Sequence, residues 1–276
     1  MTEPLSSAEI GILGGSGFYE FLTDAEELRV DTPFGEPSDA VVVGTFGGRQ
    51  VAFLPRHGRG HRTPPHRINY RANLWALKEL GISRLLAPCA VGSLRADLPP
   101  GTFVVLDQLV DRTWGRPDTY FDGPGSAGGD ERVTHVSLAE PYCSQLRDVA
   151  AASLAELGIA HELTGALVVI QGPRFATKAE SRWFGRNGGD VIGMTQCPEI
   201  PLARELELCP LGIALVTDYD AGLEDEPDIE AVTSAAVLEV FQQNVGNLRR
   251  LLEHLVPALP VKRTCRCGHT LEGAQL

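Results

Sequence analysis

An α/β domain, with a mixed, largely parallel central sheet flanked by helices, is the fold class this chain predicts, and three observations predict it. Short apolar runs such as AEIGIL, LVVI and LGIALV alternate with segments whose apolar residues recur at helical spacing, as in strands joined by crossover helices. The unusual residues collect at the ends of those runs: 14–17, Arg56-His57, 89–93, 171–175, Met194-Thr195 and 217–220. Open α/β sheets bind ligands beyond their strand ends. No internal repeat and no convincing boundary interrupts the pattern before Pro257.

AEIGILGGSG predicts a short buried strand running into a glycine-rich turn. AVVVGTFGGRQVAFLPRHG predicts a hairpin, with Gly47-Gly48 as the turn and VAFL ending at Arg56-His57. Residues 69–80, NYRANLWALKEL, have helical spacing and stop at Gly81. Strands SRLLAPCAVGSL and TFVVLDQLV come next, then a glycine-rich loop at 122–130 and a helix over about 142–157. LTGALVVIQGPRF predicts a further strand ending in a turn. A helix from Ala179, a strand VIGMT, a helix over 199–206 and a strand LGIALVTDYDAG follow. An amphipathic helix over 229–255 closes a domain assigned to residues 1–256, and residues 257–276 are expected to be an appended tail carrying Cys265-x-Cys267.

Composition narrows the function. The chain has 276 residues, 43% hydrophobic and 22% charged, with a net charge of −12, as expected of an ordinary globular protein. That acidity argues against a nucleic-acid partner. No run approaches the roughly 20 apolar residues of a membrane helix, and the N-terminus carries no basic-then-apolar leader. Six cysteines in a chain of this length do not make a disulfide framework. A cytoplasmic location is expected.

Against this acidic background, residues 54–70, LPRHGRGHRTPPHRINY, hold three of the seven histidines and four arginines without one carboxylate. His57, His61 and His66 cannot align on a helix across Pro64-Pro65, and no cysteine or acid completes a zinc site there. Arg56-His57, at the end of a strand, suit a single small anion. GILGGSGFYE lacks the third glycine of a dinucleotide fingerprint, since position 20 is Glu20. Its residues 14–17 suit either a tight turn or an amide cradle for phosphate with Ser16 as hydroxyl donor. Asp218 and Asp220 of TDYD, two apart at a strand end, read equally as acid/base groups, acceptors for an amino heterocycle or loop caps. Phe175 reads as a stacking ring or a core residue. Cys265-x-Cys267 with His269 resembles half of a zinc ribbon, but it offers three ligands and no evident partner pair, so an exposed redox pair or an inert tail is favoured. No metal is expected.

Taken together, GILGGSGFYE, LPRHGRGHRTPPHRINYRANLWALKELG, CAVGSLR, GPRFATKAES, VIGMTQCPEIPLARE and TDYDAG resemble, in order and spacing, the trimeric purine nucleoside phosphorylases. The S-methyl-5'-thioadenosine phosphorylase branch is the nearest. The resemblance runs from about residue 10 to 255 and implies the nucleoside phosphorylase fold. It also implies phosphorolysis: phosphate attacks C1' of a nucleoside and the purine leaves. By the same resemblance Ser16, Arg56, His57, Cys89, Ala90 (through its amide) and Thr195 bind phosphate, with His57, Asp218 and Asp220 the catalytic set. Met194 lies by the ribose, Phe175 against the purine, Asp218 and Asp220 face N7 and the 6-amino group, and Ile192 is a further substrate-binding residue. His135 is expected in the 5' pocket of a neighbouring subunit, which implies a homotrimer with shared sites. No cofactor is implied, since phosphate is a co-substrate.

Phosphorylases of 6-oxopurines typically carry Glu just after the Phe175 position and Asn at position 218, where this chain has Ala176 and Asp218. A carboxylate accepts from a 6-amino group, whereas an amide can donate to a 6-oxo group, so adenine is favoured. Val237 and Leu238 fit an apolar 5' pocket. Ser234 stands at a position that is apolar in the typical enzyme, so it either bonds a 5'-hydroxyl or is a harmless small residue. Cys89 stands where the typical enzyme has a threonine that donates to phosphate.

Overall fold

The computed structural model describes residues 8–15, 22–124, 132–224, 229 and 234–275, with 234–239 described in backbone alone. Ser16 and most of the loop at 122–130 therefore lie outside the described residues, as do the side chains of Ser234, Val237 and Leu238.

The described strands are β1 (Ile10–Gly14), β2 (Thr23–Leu28), β3 (Val41–Phe46), β4 (Arg49–Pro55), β5 (Arg84–Ser93), β6 (Phe103–Val105), β7 (Gln108–Arg112), β8 (His161–Glu162), β9 (Ala166–Ile170), β10 (Val191–Gly193) and β11 (Cys209–Tyr219). They form one mixed sheet. The helices are α1 (Tyr70–Glu79), α2 (Ser144–Leu157), α3 (Lys178–Arg186), α4 (Glu199–Glu205) and α5 (Ser234–Ala258).

Apolar residues on both faces of the strands explain the layering. Along β1, Ile12 points into a core with Leu146, Leu154, Leu251 and Leu255 of α2 and α5. Leu13 points the other way, to Leu74, Leu77 and Leu202 of α1 and α4. Phe53 and Leu54 of β4, and Leu86 and Leu85 of β5, divide between the faces in the same way, as the two-residue period of a strand requires. Helices thus cover both sides of a largely parallel sheet, the predicted architecture.

Strand β5 organises the sheet. Along one edge it pairs over its whole length with β11, in parallel, from Arg84↔Cys209 to Ser93↔Tyr219. Its other edge is shared between parallel β1, at 84–86, and antiparallel β10, at 92–93. Neither neighbour covers the stretch between them, which contains Pro88, Cys89 and Ala90. A crevice opens there.

Three elements depart from the sequence expectation. Strand β2 was not predicted, because TDAEEL carries no apolar alternation. It is an edge strand, exposed except at Leu28, and joins β3 through its backbone. TFVVLDQLV splits into two strands because the chain turns at Leu106-Asp107, whose amides donate to Gly212 O and Gly165 O. Helix α5 is described over Ser234–Ala258 rather than 229–255. Beyond it, residues 259–275 fold back on the body, and Leu259 and Cys267 are buried in the same core as α2 and α5.

Candidate active site

The crevice at β5 is a cavity of about 1000 Å³. Its walls come from the ends of β1, β4, β5, β10 and β11, from the segment after β9, and from α5 through Phe241 and Val245. Arg56, His57, Cys89, Ala90, Phe175, Ile192, Met194, Thr195, Asp218 and Asp220 all line it.

At the end nearest β4, Arg56 is 3% exposed. Its Nε and Nη2 donate to the two carboxylate oxygens of Glu199 at 2.6 and 2.9 Å. Nη2 also donates to Leu13 O and Nη1 to Pro88 O. Of the five guanidinium N–H groups, one on Nη1 is left for a ligand. Arg56 is therefore a fixed cation whose orientation Glu199 sets. His57 is not cationic at neutral pH: burial holds its pKa at about 4, with Arg56 and His61 adding to the effect. Its Nδ1 lies 2.8 Å from Thr63 O, which makes Nδ1 the protonated nitrogen and leaves Nε2 an acceptor. The ring of His61 stacks on it at 4.1 Å. Cys89 accepts from the Gln196 amide at 3.2 Å, and burial pushes its thiol up to about 12. Cys89 therefore remains protonated, a weak donor.

The opposite end carries the carboxyls. The β11–β5 register shifts between Val216 and Asp218, a bulge that re-aims successive side chains, and Thr217 and Asp218 both face the cavity. Thr217 Oγ1 lies 2.5 Å from Asp218 Oδ1 and 3.2 Å from Val91 O. A hydroxyl has one proton. The Thr217 hydroxyl is the donor in both contacts, so its one proton is shared between the Asp218 carboxyl and Val91 O. The Asp218 pKa is raised, by burial first and by the Asp220 charge in addition, against the Thr217 hydrogen bond. Asp220 is 6% exposed, and its Oδ2 has no hydrogen-bond partner among the described residues. Burial raises its pKa too.

Backbone devices hold the remaining walls. Gly172 adopts φ +64°, and a Cβ there would lie 2.7 Å from Met194 Sδ, so this turn accommodates glycine alone. The next residues lead into α3, where Thr177 and Glu180 form a capping box and Arg174 makes a double ion pair with Glu180 at 2.8 Å. Phe175, between them, is 77% exposed at the cavity mouth. Buried Arg116 donates to Met194 O, Cys197 O and Gln171 O, fastening the strand ends that carry Met194, Thr195 and Phe175.

A strand-end crevice with a fixed cation at one end and two carboxyls of raised pKa at the other suits a reaction that joins an anion to a polar, ring-sized substrate. Comparison with known proteins agrees. Residues 9–257 match the family model described as Phosphorylase superfamily. The chain belongs to the phosphorylase superfamily.

It is 56% identical to a purine nucleoside phosphorylase of Streptomyces coelicolor, covering 96% of this chain and 95% of the relative. It is 50% identical to an S-methyl-5'-thioadenosine phosphorylase of Mycolicibacterium smegmatis, covering 97% of both. A 6-oxopurine nucleoside phosphorylase of Pyrococcus furiosus is 45% identical, over 96% of this chain and 98% of the relative. Among solved structures, a methylthioadenosine phosphorylase of Schistosoma mansoni in complex with adenine superimposes with TM-score 0.89 at 36% identity, over 98% of this chain and 99% of that one. The protein is thus a nucleoside phosphorylase, a pentosyltransferase acting on small purine compounds.

For this phosphorylase the cavity gathers ten of the predicted site residues. His135 is not among them: it is exposed on the surface, its amide donating to Ala274 O at 2.8 Å. Sequence reasoning missed Glu199, Arg116, Thr217 and Gln196, which set the orientation of the residues it did find. VIGMTQCPEIPLARE contains two of them, but nothing in the string reveals that Glu199 turns back to Arg56. The four arginines of 54–70 also divide. Arg56 alone lines the cavity, while Arg59 pairs with Glu27 and Asp39.

Proposed function

We propose that this phosphorylase cleaves S-methyl-5'-thioadenosine with phosphate, giving adenine and 5-methylthioribose 1-phosphate. The observation that carries the reading is the Asp218 carboxyl in the cavity wall, held by the Thr217 hydroxyl, beside an Asp220 oxygen that has no hydrogen-bond partner among the described residues. A purine gathering negative charge at N7 takes a proton from Asp218, and the orphaned Asp220 oxygen accepts from the 6-amino group. A 6-oxo group offers no proton for that oxygen. Ala176, where a 6-oxopurine enzyme carries Glu, supports the same choice.

The anion end supplies the nucleophile. Phosphate sits with an oxygen on Arg56 Nη1 and on the Thr195 hydroxyl, and the Ala90 amide and Ser16 complete the cradle. Neutral His57 accepts at Nε2 a hydrogen bond from the hydroxyl of monohydrogen phosphate, so the remaining oxygens carry the charge that faces C1'. A phosphate oxygen bonds to C1' as the C1'–N9 bond breaks, and the oxocarbenium-like ribose between them is stabilised by the dianion. No other cofactor takes part. His135, exposed in one chain, reaches a neighbour's 5' pocket in a homotrimer, where Val237 and Leu238 take the methylthio group and Ser234 lies at its edge.

A second reading is phosphorolysis of 6-oxopurine nucleosides or of adenosine, and the name of the Pyrococcus relative favours its 6-oxopurine part. Competition decides between them. With methylthioadenosine, adenosine and inosine present together in phosphate, kcat/KM for methylthioadenosine is expected to exceed that for inosine at least tenfold. Equal or reversed preference would overturn the base assignment.

A further inference from the structure

Four of the six cysteines meet far from the cavity. The sulfurs of Cys143, Cys209, Cys265 and Cys267 all lie within 4.8 Å of one another. Three of these residues are buried and Cys265 is half-buried, and every one is a free thiol. They come from three separate parts of the fold. Cys143 caps the N-terminus of α2, Cys209 opens β11, and Cys265 and Cys267 flank the start of a short 3-10 turn in the tail. The first two are fixed to one another through the Cys143 amide, which donates to Pro210 O at 2.8 Å.

Four thiols packed together are a poor solution on their own. A thiol is a weak donor and a weak acceptor, yet burial leaves these sulfurs chiefly one another. The sulfurs of Cys209 and Cys265 are 3.4 Å apart, where a disulfide needs about 2.05 Å. Two disulfides would also separate the four into tight pairs, whereas here each sulfur is near all three others. Two arginines, Arg84 and Arg204, are buried with Nε lacking a hydrogen-bond partner among the described residues.

Tetrahedral zinc with a metal–sulfur bond of about 2.3 Å has sulfurs about 3.8 Å apart, and the observed spacing brackets that value. All-sulfur tetrahedral sets select zinc or iron over hard cations, and four largely buried sulfurs with no other ligand type among them suit a structural site. We propose that Cys143, Cys209, Cys265 and Cys267 bind one structural zinc ion that fastens the C-terminal tail to the body of the domain. On binding, Zn²⁺ replaces the thiol protons, which pass to solvent, and the doubly negative tetrathiolate centre is offset by Arg84 and Arg204. His269, the third ligand the sequence suggested, is not part of the site. It is exposed, with Nδ1 2.7 Å from Glu272. Cys143 and Cys209 are the partner pair that the sequence did not reveal, and the site replaces the exposed redox pair or inert tail expected there.

The zinc has a consequence for the neighbouring surface. Gln275 bridges to Thr134 and bonds Arg132 at 2.7 Å, and Ala274 O accepts from the His135 amide. Fastening the tail therefore also steadies 132–135. If His135 has the role proposed above, zinc supports a neighbour's 5' pocket from outside.

The test begins with the full-length protein, purified without chelator from zinc-supplemented cells. Elemental analysis is expected to give one zinc per chain, with all six thiols titratable after denaturation and zinc release. Cobalt in place of zinc is expected to give the intense sulfur-to-metal absorption of a tetrahedral thiolate site. The C265S/C267S variant is expected to lose the metal and melt at a lower temperature. Iron at one per chain would overturn the choice of metal. No metal above background in the wild type would overturn the site, whether the mass matched free thiols or two disulfides. Metal content is read without any substrate, so it stands or falls apart from the proposed reaction. The wild-type measurement holds even if the variant fails to fold.

Discussion

At the scale of single residues, the raised pKa of the Asp218 carboxyl sets the expected behaviour. Asp218→Asn keeps the shape but removes an acid, so activity on methylthioadenosine is expected to fall by about 10²–10⁴-fold, with a relative gain on inosine, measured as kcat/KM for both. An unchanged preference would contradict the assignment. Stability moves the other way. A carboxyl whose folded pKa is raised stabilises the fold fully below the ordinary carboxylate range and loses that contribution as pH rises through the folded value. Asp218→Asn is therefore expected to melt above the wild type at neutral pH and to approach it in acid. His57 has the opposite sign. Its folded pKa is lowered to about 4, so the unfolded chain binds the extra proton between that value and the unperturbed 6.5 or so. Wild-type stability should fall across that window on acidification, and His57→Gln should flatten the loss in calorimetric melts. These residues were legible as strand-end oddities. Their shifted pKa values were not, because these depend on a burial that only the assembled fold creates.

Elements fix what those residues can reach. The Arg56–Glu199 pair ties the end of β4 to the first turn of α4 across 143 positions. Breaking a buried pair by removing one partner costs about 3–5 kcal/mol. Glu199→Ala is thus expected to lower the melting temperature strongly and to raise the KM for phosphate more than the KM for nucleoside. Thr177 caps α3, and Thr177→Ala is expected to cost about 1 kcal/mol while weakening nucleoside binding through Phe175. Glu199, unlike the caps and turns, left no local signal. Helices and strands were read from spacing that neighbours in sequence create, whereas ion pairs between distant elements are set by the sheet order. The same limit explains β2, a polar edge strand held through its backbone.

For the whole molecule, a sheet covered on both faces was written into apolar runs that continue where alternation would otherwise expose every second residue. The crevice follows from β1 (Ile10–Gly14) and β10 (Val191–Gly193) sharing one edge of β5, a relation between strands far apart in sequence. The cysteine cluster has the same origin: its ligands fall at 143, 209, 265 and 267, and only the last two are close enough to suggest a motif. Among the described residues no helix is long and apolar enough to cross a membrane. If His135 belongs to a neighbour's pocket, the enzyme is expected to run as a trimer in light scattering. His135→Ala should then raise the KM for methylthioadenosine without changing that for phosphate. A monomer with full activity would contradict the shared site.

The central claim is that phosphate, held at Arg56, becomes bonded to C1' of a methylthio-nucleoside. Phosphorus NMR of the protein turning over methylthioadenosine in phosphate tests it most directly. A sugar 1-phosphate signal is predicted to grow in step with free adenine while inorganic phosphate falls by the same amount. Adenine released with the phosphate signal unchanged would mean that water, not phosphate, attacks, and the account of the anion end would be wrong.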